Sequence, residues 1–214
     1  MAKEGKKRRI NKKGIILITA VLIIILVAVF FIFLNNKNSD GDSKKVEEVK
    51  TVDKIKGFDY ELKENETKYY KKLFKELKTT LEADNIDENK YAELVAELFV
   101  ADFYNLDNKV SKSDIGGTQF VYKDFRSDFE KVAKTTMYKQ VQSNVYGERK
   151  QELPEVSKVT ATVTNTTFKY ASGTDEKAYS VAFEIEYTKD LGYQAKGTIT
   201  LIHNDKKLEI ASLE

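Results

Sequence analysis

The spacing of apolar positions changes character along the chain, and each change marks a boundary. From Ile15 to Leu34 the run IILITAVLIIILVAVFFIFL is unbroken, twenty residues without a charge and with Thr19 as the lone polar side chain. At a helical rise of about 1.5 Å per residue it spans roughly 30 Å, the hydrocarbon thickness of a bilayer, which predicts a transmembrane helix. Residues 35–56, NNKNSDGDSKKVEEVKTVDKIK, carry too little apolar surface to offset their ordering entropy. They predict a juxtamembrane stalk with an r.m.s. reach of about 25 Å.

Beyond the stalk the period becomes helical. Tyr70, Leu73, Phe74, Leu77 and Leu81 make one stripe, with Asn65 as its expected N-cap. A second helix is expected from Asp87, lining up Tyr91, Leu94, Val95, Leu98 and Phe99. A third stripe runs from Phe125 through Phe129, Val132, Ala133, Met137 and Val141 to Val145. Each helix is expected to bury a single face. In the last quarter the period falls to two: Val159, Ala161 and Val163 alternate with threonines, and Tyr179, Val181, Phe183, Ile185 and Tyr187 alternate with small or acidic residues. Ile199 and Leu201, then Leu208 and Ile210, continue the pattern, with turns at 172–175, 189–192 and 204–205. Pro154, the sole proline, marks the junction between helices and strands. The expected architecture is α+β: a transmembrane helix, then three helices packed on a curved antiparallel sheet of about four strands.

Charge supplies the orientation. Seven basic residues and one acid lie in residues 1–13, which leaves 29 basic against 33 acidic residues from position 14 onward. The positive-inside rule then predicts a cytoplasmic tail (1–14), a signal anchor (15–34), the stalk (35–56) and an extracellular domain (57–214). A cleaved signal peptide is disfavoured because the apolar core is too long and no small-x-small site follows it. The chain has no cysteine, which removes disulfides, thiolate catalysis, thiolate metal sites and a lipoprotein anchor, and which suits a bacterial envelope better than a eukaryotic secretory route.

Three helices followed by a one-faced sheet of about four strands, over residues 58–214, resemble the cone-shaped nuclear transport factor 2-like superfamily. The resemblance rests on element order and strand parity, since that superfamily has no short diagnostic motif. Signal-anchored bacterial members include the scaffold proteins of type IV secretion and conjugation channels, which share this N-in layout. What the resemblance implies is a fold more than a function.

Candidate chemistry is sparse. His203, the one histidine, shares parity with Ile199 and Leu201. Enzymes of the resembled superfamily carry an acid or histidine inside the cone, which makes His203 with Tyr187 or Tyr193 a candidate pocket; a half-exposed structural histidine at a strand end is the expected alternative. Asp102 interrupts the apolar stripe of the second helix and is a further candidate for that pocket, as a buried acceptor or general base; the expected alternative is the last solvated turn of the helix, or a cap on the loop that follows. The loop 105–117, NLDNKVSKSDIGG, is long for a helix–helix connection, lacks the signature of a phosphate loop, and is either a partner-binding segment or a plain connector. No acidic cluster has calcium-loop spacing. Neither a catalytic residue nor a cofactor or metal is therefore expected.

Two surfaces point to partners instead. Thr160, Thr162, Thr164, Ser180, Thr198 and Thr200 share the second sheet face, small and uncharged, as a candidate surface for a protein partner or a second copy. Lys6, Lys7, Arg8 and Arg9 are placed to meet anionic lipid headgroups. Nucleic acid is not an expected partner of the mildly acidic outer part. Two functional classes result, a membrane-tethered interaction module of an envelope or conjugation-type assembly, and a domain that binds or converts a small ligand in its cone.

Overall fold

A computed structural model describes residues 49–171 and 173–214. The basic tail with Lys6, Lys7, Arg8 and Arg9, the apolar run and most of the expected stalk lie outside them. Among the described residues no helix is long and apolar enough to cross a membrane.

The chain enters through a short hairpin, β1 (Thr51–Ile55) and β2 (Tyr60–Lys63), turned by Gly57 and Asp59 at positive φ. The end of the stretch expected to be stalk is therefore a strand. Its anchor is Ile55, fully buried, a single apolar residue that composition averaging over 35–56 hides. Helices α1 (Lys68–Leu81), α2 (Glu88–Phe103) and α3 (Lys123–Thr135) follow, with a 3-10 turn at Thr118–Phe120. Four strands close the chain: β3 (Val156–Tyr170), β4 (Gly173–Tyr187), β5 (Lys196–Asn204) and β6 (Lys207–Leu213), an antiparallel meander in the order β3-β4-β5-β6. The described residues are thus α+β, with three helices, a four-stranded sheet and a separate two-stranded one.

Local chemistry accounts for the helix starts. The Asp87 carboxylate accepts from the Lys90 N–H at 3.1 Å, as its residue type suggested. The cap of α1 is Thr67, not Asn65; its hydroxyl accepts from the Tyr70 N–H at 3.1 Å. Helix α1 buries the single stripe read from its spacing. Helix α2 departs from that scheme, because Ala92, Ala96, Val100 and Ala101 are buried along with its expected stripe. It runs between α1 on one side and strands β3 and β4 on the other, and the small residues permit close approach on both.

The third stripe is longer than the helix that carries it. Helix α3 ends at Thr135, and Thr136 turns away with φ −116° and ψ −96°. Tyr138 and Val141 are still buried, but from the irregular segment beyond. Only Ala133 of α3 is fully buried, while Val132 is 59% exposed.

The sheet's inner face carries Val159, Val181, Phe183, Ile185, Ile199, Leu201, Leu208 and Ile210 into the main core. On the other face Thr162 pairs with Ala182 and Thr164 with Ser180, and these pair in turn with Thr198 and Thr200, so the six residues of the expected partner surface do share a face. That face is not open throughout. Ala178 and Ile202, of the same parity, are covered by Tyr122 in a second small cluster with Phe125, Phe168, Tyr170 and Ala211. Nor is it uncharged at its other end, where Glu186 pairs with Lys158 at 2.7 Å and Glu184 with Lys196 at 2.6 Å.

Candidate functional site

The four residues expected to line one pocket do not meet. Asp102 is at the end of α2, where its carboxylate forms an ion pair with Lys109 and accepts from the Gly117 N–H at 2.6 Å. Tyr187 donates to the Gln194 carbonyl at 2.6 Å, and burial pushes its phenol upward. Tyr193 packs at the margin of the core. His203 lies at the end of β5, where its Nδ1 is 2.9 Å from Asp175 Oδ2 and its backbone N–H donates to the same oxygen at 2.7 Å. Burial opposes ionisation of Asp175, but those bonds and one from the Lys177 N–H outweigh it and hold the carboxyl below the ordinary range. The alternation that puts His203 in phase with Leu201 thus brings it to a surface clasp between β4 and β5, not to the interior.

Around Asp102 the structure builds a polar cavity of about 140 Å³ between the β1–β2 hairpin, the start of α1 and the loop 105–117. Glu66, Asp102, Asn108, Lys109, Asp114 and Gln119 are among its lining residues. Lys109 is buried, and although burial works against its charge, Asp102 and Glu66 keep its ammonium above the usual lysine range. Glu66 is pushed up to about 7, first by burial and then by the charge of Asp102. The loop is tied at each turn: Tyr138 donates to the Phe103 carbonyl at 2.7 Å and accepts from the Gly116 N–H at 3.0 Å. A Cβ on Gly116 would stand 2.3 Å from the Asp102 carbonyl oxygen, and Gly117 has φ +74°. The length of this loop therefore serves an internal polar knot. A cavity of this size holds a few waters and falls short of the roughly 300–1,000 Å³ of small-molecule pockets.

A larger concavity of about 540 Å³ opens where α3 fails to seal the core. Its walls are Phe103 and Tyr104 of the α2 end, Phe125, Phe129 and Val132 of α3, Met137 beyond it, and Leu213 of β6. Phe129 reaches inward, its ring centroid 5.2 Å from that of Phe103 and 5.8 Å from that of Phe99. Asp128, Thr136 and Gln194 supply polar atoms at the rim. The backbone carbonyl of Gln194 is also the acceptor of Tyr187, the one residue of the expected pocket tied to this groove, and it is tied only through that carbonyl. The stripe Phe125–Phe129–Val132 is visible in the sequence, but periodicity cannot tell a sealed face from an open one. Leu213 and Gln194 carry no signal at all.

Among the described residues no group of three or more acids and histidines is arranged to hold a metal ion. No protein-family profile, curated protein or solved structure matches the chain.

Proposed function

We propose that the chain is a single-pass membrane protein whose outer domain, a nuclear transport factor 2-like cone, is an interaction module of a bacterial envelope assembly. The groove between α3 and the end of β6 takes an apolar segment of a protein partner. The observation that carries this reading is the exposed, aromatic-walled groove itself. A helix whose stripe includes Phe125, Phe129 and Val132 yet buries only Ala133 leaves apolar surface that water solvates poorly. The partner reading is favoured over catalysis because the acids of the groove, Asp128 and Glu214, are exposed, while the more buried polar groups lie elsewhere: Glu66 and Asp102 in the polar knot, His203 in its clasp with Asp175.

A second reading, a small apolar ligand in the same groove, is supported by its volume, which falls within the range of ligand sites. One experiment separates the two. A photoreactive phenylalanine derivative is placed at Val132 of the full chain in its native membrane. A discrete protein adduct, missing when the probe is moved to exposed Lys139, is expected. Saturable uptake of an apolar fluorescent dye without any adduct would favour the ligand reading, and failure of both would exclude the groove as a binding site.

A further inference from the structure

The four-stranded sheet has two edges, and they are treated differently. At β6 the edge is covered. The Leu208 N–H donates to Tyr91 Oη at 2.8 Å, the Leu208 carbonyl accepts from Tyr60 Oη at 2.7 Å, and the Ile210 carbonyl accepts from the Tyr122 N–H at 2.9 Å. At β3 the cover stops early. Asn105 Oδ1 accepts from the Val156 N–H at 2.8 Å, and the Tyr69 hydroxyl both accepts from the Val159 N–H at 2.8 Å and donates to its carbonyl at 3.3 Å.

Tyr69 belongs to α1, so the polar groups of Val159 point away from β4. Backbone direction alternates along an antiparallel strand, and the ladder is regular from Lys158 to Thr166. The N–H and C=O of Ala161, Val163 and Asn165 therefore face outward as well, on an edge with no strand beside it among the described residues. Devices that normally blunt such an edge are missing over this stretch. Residues 159–167, VTATVTNTT, contain no charge and no proline, and after the irregularity between Val156 and Lys158 the next comes only between Thr166 and Phe168.

We propose that β3 pairs antiparallel with β3 of a second copy of this chain, centred on Val163, to join two four-stranded sheets into one. Self-complementarity singles out this occupant. Setting Val163 opposite its own copy puts Ala161 opposite Asn165, so all three outward residues of each strand face outward residues of the other. That pairing forms roughly six backbone hydrogen bonds. Sliding the register by one residue pairs outward groups with inward ones. Sliding it by two brings the bulged region or the Tyr69-capped Val159 into the ladder. In the centred register Thr162 lies opposite Thr164, a favourable cross-strand pair, and no like charges meet. The proposal concerns the sheet edge alone and stands whether or not the groove binds a partner.

The chain has no cysteine, so a single introduced one is a clean reporter. In the full chain in detergent, Val163→Cys is expected to form an intermolecular disulfide on air oxidation, since Cα atoms in such a pair lie about 5.5 Å apart. Ser180→Cys, on central strand β4, should remain reduced. Thr162 and Thr164 are exposed, so Thr162→Lys with Thr164→Lys leaves the fold intact while setting lysines opposite one another. Cross-linking of Val163→Cys should then fall by about tenfold or more. Failure of Val163→Cys to cross-link, or cross-linking unaffected by the paired lysines, would overturn the proposal.

Discussion

Glu97 shows how much one side chain can contribute in this domain. It is 7% exposed on α2, and burial, followed by the charge of Glu93, pushes it up to about 7 from an ordinary 4.5. A folded value above the unfolded one means that the unfolded chain gives up this proton first as pH rises. Stability is therefore full below about pH 4.5 and declines until the folded carboxyl also ionises near 7. The loss is on the order of 3 kcal/mol, and Glu66 adds to it with the same sign over the same window. Glu97→Gln should flatten this slope and raise the denaturation midpoint at pH 8, as chemical denaturation at several pH values would show. An unchanged slope would mean that the carboxyl reaches water in the folded state. Nothing in the spacing of α2 announces this, because Glu97 sits among helix-favouring residues and is buried only by the packing of the folded domain.

At the scale of elements, the loop 105–117 is held by the Asp102–Lys109 pair. Removing one partner of a buried pair strands the other charge, which costs about 3–5 kcal/mol. Lys109→Met should accordingly destabilise the domain by roughly that amount. Adding Asp102→Asn should recover part of the loss, because the amide oxygen can still accept from the Gly117 N–H. A double-mutant cycle by urea denaturation measures both, and additive effects would refute the coupling. Element identities were legible in the residues: the stripe of α1, the Asp87 cap and the alternation of β3 to β6 follow from local periodicity and capping chemistry. Element ends were less so. Thr67 replaces Asn65 as a cap because the hydroxyl of that residue is the one within reach of the Tyr70 N–H. Helix α3 stops at Thr135 although its apolar spacing continues, since Tyr138 and Val141 are buried equally well from turns.

For the whole molecule, the proposed topology rests on the uncharged run Ile15–Leu34 and the seven basic residues before it. A reporter enzyme fused after Glu214 should be active only outside the cytoplasm. Strong cytoplasmic activity would remove the envelope reading and leave the fold untouched. The sequence by itself determined the α+β class, the order of the three helices and the four strands that follow them, and the sharing of one sheet face by the threonines, because these depend on periods of 3.6 and 2 written into neighbouring residues; the β1–β2 hairpin was not among them. Tertiary structure alone decided that Asp102 meets Lys109 and not His203, that α3 leaves a groove, and that β6 is covered while β3 is open along Ala161–Asn165. Those outcomes depend on contacts between residues far apart in the chain, such as Tyr60 with Leu208 and Tyr69 with Val159. Periodicity assigns a side chain to a face, but only packing determines what that face meets.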